Sequence, residues 1–330
     1  LTLTAASALA PAALAAAPAF AQTPQAGAQR LEAFLDRFPD LGPGYAVVAV
    51  TADEVLLTHV RGEARAATGA PLTADTPVYI ASQTKAFMGL LAARLDVDGV
   101  LSLDSTLSDH WPDLELPGGL DPADWTLRDL ISHQVPLEGG LITTLEAYVT
   151  RVDPADYPAL IAAQGAAREP GFDYGNIGYN IYGAILETST GRTWQDWLDQ
   201  AVFDPLGLDR TSARTSDFSL DEQAWSHTWT GEETGWFEIR PKTDAQMQSA
   251  GGVTMAPADM AVWLQAQLRG EGPDGSGLTE AMFDMAQAQA AEVDPEARNA
   301  IELPCHGYAL GWNICDFEGH TLYVHGGGYT

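Results

Sequence analysis

The stretch "YIASQTKAFMGLLAARL" (79–95) places Lys85 three residues after Ser82, and Lys85 is one of only two lysines in the 330-residue chain. Phe87, Leu90, Leu91 and Leu95 recur at helical spacing, which predicts a helix starting at about Ser82. Positions i and i+3 of a helix share a face, so the Lys85 amine lies beside the Ser82 hydroxyl. A serine hydroxyl is a weak nucleophile until a neighbouring base takes its proton, and a lysine serves if burial or nearby positive charge lowers its pKa. The N–H groups of the first turn favour negative charge developing near the serine. The bland alternative makes Ser82 a helix cap and Lys85 a surface charge. The apolar flanks "VYIA" and "AFMGLLAARL" argue instead for a buried helix.

Two further segments carry candidate chemistry. "EPGFDYGNIGYNIYGAIL" (169–186) sets Tyr174 and Asn176 in a glycine-rich turn just before a helix. There Tyr174 could relay a proton and Asn176 could donate to a substrate carbonyl. "VHGGGYT" (324–330) ends a strand in His325, Gly326, Gly327 and Gly328, where missing side chains let a substrate backbone approach. The Gly328 and Ser82 N–H groups could together form an oxyanion hole. The other lysine, Lys242 in "RPKTDAQ", reads as a surface-loop residue, and His133 and His227 read as structural or exposed.

The composition is that of a globular protein, 46% hydrophobic and 18% charged, with a net charge of −29. Such an acidic chain repels phosphate backbones and anionic membranes, which argues against nucleic-acid partners. "LTLTAASALAPAALAAAPAFAQTPQ" (1–25) reads as the apolar region and A-x-A-like cleavage site of a secretory signal, interrupted by Pro11 and Pro18 and too weakly apolar for a stable membrane span. The expectation is a periplasmic or secreted bacterial protein. Cys305 and Cys315 could pair in an oxidising compartment, provided that the chain doubles back between them, for instance at Gly307. Cys305, His306, Cys315, His320 and His325 are of zinc-ligand type but lack the short paired spacings of a zinc knuckle.

Strand patterns occupy both ends of the chain and helical patterns its middle, which predicts a sheet built from both ends with a helical insertion. Helices are expected over 29–38, 126–133, 178–190, 194–203 and 256–268. Strand runs are expected at 44–64, 307–315 and 321–327, the first broken by a turn at Ala52-Asp53.

In order and spacing, "YIASQTKAF", "WTLRDLISHQVPL", "PGFDYGNIGYNIYGAILE", "VFDPLGLDRTS", "SAGGVTMAPADMAVWLQAQL" and the terminal "HGG" resemble the serine beta-lactamase and penicillin-binding-protein-like hydrolases. The branch related to class C beta-lactamases, D-alanyl-D-alanine carboxypeptidases, D-aminopeptidases and esterases is the most similar. The resemblance covers about residues 29–330. It implies an α+β fold (an α/β sandwich) with an antiparallel sheet flanked by helices and an all-helical inserted lobe. Residues 26–100 and 250–330 would form the sheet lobe and 101–249 the helical lobe of one catalytic domain. Ser82 is implied as the acylated nucleophile, Lys85 as its proton partner and Tyr174 as the second acid/base. Asn176, His325, Gly326, Gly327 and Gly328 are implied as substrate contacts. No metal or organic cofactor is implied, and the partner is a small-molecule or peptide substrate: an ester, amide or beta-lactam. Where beta-lactamases carry a lysine to hold the substrate carboxylate, this chain has His325, a weaker anion anchor at neutral pH. That favours an esterase or peptidase over a beta-lactamase; a penicillin-binding sensor that acylates without turnover is the alternative of another class. The family continues past this motif with further strands and a closing helix, so an unpaired edge is expected at 322–324.

Overall fold

The computed structural model describes residues 23–38, 42–294 and 303–328. Most of the expected leader, residues 1–25, lies outside them. The first helix, Pro24–Leu35, begins inside that segment, and its Thr23 cap accepts from the Ala26 N–H at 3.3 Å. No helix of the described residues is long and apolar enough to cross a membrane.

The helix Thr84–Val97 is the centre of the molecule. Its sequence is apolar on every face, which dictates burial all round, and Met88, Leu90, Leu91 and Ala92 have no exposed surface. Phe87 stacks on Trp263 of the helix Pro257–Arg269 at 3.9 Å between ring centroids and meets Phe203 edge-on at 5.8 Å. Two glycines let backbones touch on its other side. A Cβ at Gly89 would lie 1.7 Å from the Leu310 carbonyl oxygen, and one at Gly311 would lie 2.3 Å from the Lys85 carbonyl oxygen. These close approaches lock the helix that carries Lys85 against the turn 309–312.

The sheets are smaller than the sequence pattern predicts. Gly44–Val50 and Val55–Arg65 form an antiparallel hairpin, extended by Ala70–Pro71. Ala291–Glu292, Cys305–Tyr308, Asn313–Phe317 and His320–Val324 form a separate antiparallel meander. Among the described residues the two ends of the chain therefore do not share one hydrogen-bonded sheet. Among the described residues the strand His320–Val324 pairs with Asn313–Phe317 alone, in line with the unpaired edge expected at 322–324. Between it and the first hairpin lies a cavity of about 570 Å³, lined by Tyr45, Val48, Ile80, Phe87, Trp312 and Tyr323 among others. A third small sheet orders Val78–Tyr79, Thr254–Met255 and Thr211–Ser212, and so holds the residues just before Ser82.

The segment 101–249 is not all helical. Beside the helices Gly140–Tyr148, Tyr157–Gln164 and Ile177–Thr190 it contains the pairs Leu137–Glu138 with Ala166–Ala167 and Ser226–Trp229 with Trp236–Ile239. In the second pair, Gly231 and Gly235 turn the chain with positive φ, and Trp229 and Trp236 meet across the strands at 5.2 Å. Threonine and aromatic residues on both sides of a glycine-bounded turn favour that hairpin.

Cys305 and Cys315 form a disulfide, and their residues face each other across adjacent strands. The stretch 307–315, which reads as one strand, is broken at 309–312, and the chain reverses at Gly311 (φ 94°), not at Gly307. Only a residue tolerant of positive φ without a Cβ fits there, because Gly311 also abuts Lys85.

Gly89→Ala tests the helix docking. At an open helical site this change stabilises by up to about 1 kcal/mol. Here the added methyl meets a backbone carbonyl, so the expected effect is a loss of about 2 kcal/mol or more, read as a melting temperature lower by several degrees. Gly140→Ala, where a Cβ meets nothing within 4 Å, serves as the control.

Candidate active site

Ser82 occupies a single 3₁₀ turn, Ala81–Gln83, between the strand Val78–Tyr79 and the central helix. Ala81 takes φ 48°, an uncommon and strained angle for a residue with a Cβ, directly before the serine. The turn is tied down from both sides. The Ile80 N–H donates to the Val253 carbonyl at 3.0 Å, the Thr84 hydroxyl donates to the Ala81 carbonyl at 2.7 Å, and the Val253 N–H donates to Thr84 Oγ1 at 2.9 Å.

Lys85 is completely buried one turn further on. Its Nζ donates to Ser82 Oγ at 3.2 Å, to Asn176 Oδ1 at 2.9 Å and to the Ala250 carbonyl at 2.7 Å. The same amine lies 4.9 Å from the centroid of the Tyr174 ring. Ser82, Lys85, Tyr174 and Asn176, predicted from two distant motifs, thus converge. Asn176 stands at the N-cap of the helix Ile177–Thr190 but does not cap it; its side chain is turned to Lys85.

Tyr174 is held by a neighbour that the sequence did not single out for this site. The His133 ring lies 4.7 Å from the Tyr174 ring, and His133 Nδ1 accepts from the Gly175 N–H at 3.4 Å. His133 is buried and takes φ 63°. It is structural, as expected, yet its structural task is to support the tyrosine turn.

The third motif reaches the same place, with its residues in unequal positions. A Cβ at Gly327 would lie 2.2 Å from the Ile80 carbonyl oxygen and 3.3 Å from the Ser82 nitrogen, so this glycine permits the strand end to touch the serine turn. Gly326 and Gly328 have open space at the same position, so close packing does not require a glycine at either. Gly328 lines a cavity of about 200 Å³ together with Ser82, Asn176, Tyr79 and Tyr148. His325 is not among that cavity's lining residues. Its Nδ1–H donates to the Gly326 carbonyl at 2.6 Å, its Nε2 lies 3.4 Å from the Tyr308 hydroxyl, and its ring is 5.8 Å from the Tyr174 ring.

Lys242 departs most from expectation. It is buried, not a surface-loop residue, and it lines the Ser82 cavity. Its Nζ donates to the Ala147 carbonyl at 2.8 Å, and burial pushes its pKa down to about 8. The sequence signals for it were the rarity of lysine and the superficial likeness of "KTD" (242–244) to a K-T-G motif, which its place before Gly251 and its third residue, Asp244, set aside. Cys305 and Cys315, weighed as metal ligands with His306, His320 and His325, are joined to each other.

A buried polar chain supports Lys85 from behind. The Asn180 side-chain NH₂ donates to Glu146 Oε2 at 2.6 Å and to Gln248 Oε1 at 2.7 Å, while Asn180 Oδ1 accepts from the Ala250 N–H at 3.2 Å. The Ala250 carbonyl is the one that receives Lys85. Burial raises the Glu146 carboxyl from 4.5 to about 7, against the lowering effect of bonds from Tyr157 and Asn180.

Residues 31–330 match the family described as Beta-lactamase. The chain belongs to the beta-lactamase family. It shares with penicillin-binding protein 4 of Amycolatopsis lactamdurans 28% identity over 294 residues, covering 86% of this chain and 74% of that one. With the D-aminopeptidase of Brucella anthropi it shares 29% over 311 residues, covering 90% of this chain and 54% of the relative, about half its length. Among solved structures, the D-amino acid amidase from Ochrobactrum anthropi SV3 superposes with a TM-score of 0.71 at 22% identity, covering 92% of this chain and 84% of that one. The penicillin-binding protein homologue from Pyrococcus abyssi gives 0.73 at 21%, covering 91% and 68%. The fold is the beta-lactamase/transpeptidase-like one, with helices and small antiparallel sheets, and the chain is a member of a serine hydrolase family.

The raised Glu146 pKa makes a signed prediction. Between pH 4.5 and 7 the folded state holds a proton on Glu146 that the unfolded chain has released. That stabilisation is complete below pH 4.5 and is lost as pH rises through 7. Melting curves of the wild type should therefore fall relative to Glu146→Gln across this window, by at most about 3 kcal/mol. Parallel pH profiles for the two proteins would refute the shift.

Proposed function

We propose that the protein hydrolyses esters or amides, D-amino-acid peptides or amides among them, through an acyl-enzyme on Ser82. The observation that carries this reading is the 3.2 Å contact from the buried Lys85 amine to Ser82 Oγ, with Tyr174 packed against the same amine. Ser82 Oγ attacks the substrate carbonyl as the Lys85/Tyr174 pair takes the hydroxyl proton. The oxyanion is held by the Ser82 and Gly328 N–H groups. The pair returns the proton to the departing alcohol or amine, which leaves an acyl-serine. Water, deprotonated by the same pair, then cleaves the acyl bond and restores the serine. Asn176 orients both the amine and the substrate amide. The D-aminopeptidase relative supports the substrate class, and a strained Ala81 supports a serine held ready.

The relative named penicillin-binding protein 4 favours a second reading, in which penicillins acylate Ser82 and leave slowly. Pre-steady-state kinetics separate the two, since one equivalent of product without further turnover marks the second. The protein is also read as extracytoplasmic, on the composition of residues 1–25 and on the disulfide, a bond that persists in oxidising compartments.

Ser82→Ala should cut kcat/KM for p-nitrophenyl esters by about 10³-fold or more, with an unchanged melting temperature. Lys85→Ala should lose as much activity and also some stability. Wild-type rates in Ser82→Ala would dismiss the nucleophile assignment. Nitrocefin should be hydrolysed slowly or not at all.

A further inference from the structure

Lys242 reaches the Ser82 cavity from a loop with no part in the three motifs. Its backbone is fixed from one side, where the Thr215 hydroxyl donates to the Lys242 carbonyl at 2.7 Å. The loop is tied to the helix Gly140–Tyr148 by two bonds, Lys242 Nζ to the Ala147 carbonyl at 2.8 Å and Gln246 Nε2 to the Tyr148 carbonyl at 2.9 Å. A cation at the carbonyl end of a helix is favourable, and this accounts for part of its position. It does not account for the cavity. The ammonium lies 5.4 Å from the Tyr79 ring centroid and 5.3 Å from that of Tyr148, and both tyrosines, with Thr143 and Thr144, wall the space that holds Ser82.

The charge balance gives this placement a consequence. The chain carries a net charge of −29, so its field repels an anionic substrate. His325, which stands where relatives of the beta-lactamase type have an anion-holding lysine, is turned toward Tyr308 and Tyr174. Lys242 is the cationic side chain among the residues that line the Ser82 cavity. Burial weakens the screening of its charge by water, which strengthens its attraction for an anion that enters.

We propose that Lys242 is a specificity-determining residue that receives a carboxylate carried by the substrate ester or amide inside the Ser82 cavity. The inference rests on the acyl-serine reading and adds to it a substrate class, acylated compounds bearing a carboxylate near the scissile bond. The carboxylate can belong to the acyl part or to the leaving group, and the test has an arm for each.

Matched pairs that differ in charge decide it. For the acyl side, p-nitrophenyl hemisuccinate is compared with p-nitrophenyl butyrate. For the leaving side, N-acetyl-D-alanyl-D-alanine is compared with its carboxamide. In at least one pair the wild type should prefer the anion about tenfold or more in kcat/KM. Lys242→Met should reduce that ratio by about tenfold, through KM, while Lys242→Arg keeps most of it. A purely structural lysine would change both members of a pair alike and leave the ratio fixed. Should Lys242→Met fail to fold, Lys242→Gln, which removes the charge and keeps a donor for the Ala147 carbonyl, is read in its place, and equal wild-type turnover within both pairs already overturns the assignment. Equal turnover within both pairs, or an unchanged ratio in Lys242→Met, overturns the assignment and leaves Ser82 as the nucleophile. If none of the four is turned over, the hydrolase reading fails instead. Calorimetric titration of the same pairs then decides Lys242 by whether the anion binds more tightly.

Discussion

The Lys85 amine, with no surface open to solvent, gives hydrogen bonds to Ser82, to Asn176 and to the Ala250 carbonyl, groups brought from three separate stretches of chain. A buried amine is tolerated only where hydrogen-bond partners satisfy it, and a buried polar group left without one costs about 1–3 kcal/mol. The same bonds that make the burial possible therefore fix the relative positions of the serine turn, the Tyr174 turn and Ala250. The candidate catalytic geometry and the fold are one constraint. It propagates outward through close backbone contacts at Gly89, Gly311 and Gly327, where no side chain fits. It propagates inward through Asn180 and Glu146: Asn180 holds the N–H of Ala250, the residue whose carbonyl receives Lys85, and Glu146 holds Asn180.

The convergence at Lys85 was legible because it follows from rules that act over short distances in sequence. The i, i+3 spacing places Ser82 and Lys85 together, and an apolar flank on both sides implies burial. The helices at 178–190 and 256–268 were legible for the same reason, and they appear as Ile177–Thr190 and Pro257–Arg269. What escaped depends on contacts between distant segments. Lys242 looks like any loop lysine until the helix Gly140–Tyr148 and the Tyr79 strand close over it. The Cys305–Cys315 pairing depends on a reversal at Gly311, and that glycine is needed for its φ and for its contact with Lys85 jointly. The two-residue strands at 137, 166 and 211 are too short to leave a period in the sequence, so a segment rich in proline and glycine breaks read as helices alone.

Size is a poor guide to chemistry in this molecule. The cavity of about 570 Å³ lies between the strands Gly44–Val50 and His320–Val324 and is walled by Val48, Phe87 and Trp312 among others, groups that offer packing and no nucleophile. The cavity at Ser82 has about 200 Å³ but gathers a hydroxyl, an amide, an ammonium and a glycine backbone. Polar groups that converge in a confined space define a reacting site better than volume does. His325 marks the boundary between the two, since it lines the larger cavity while its ring packs toward Tyr174.

The scarcity of lysine then acquires a physical meaning. In a chain whose surface charge is overwhelmingly negative, an arginine can be paired on the surface, as Arg214 is with Asp196 and Asp199 and Arg128 with Asp104. Both lysines are instead buried at one cleft, Lys85 beneath the serine and Lys242 at the cavity wall. A flexible ammonium suits such a place better than a guanidinium. It is compact, it donates in any direction, and its proton affinity responds to burial, whereas a guanidinium stays charged. At Lys242 that response is visible in a pKa drawn down to about 8 by desolvation. An anion arriving beside it would restore the stabilisation that water no longer provides, so the cleft gains most from the ligands that the rest of the surface repels.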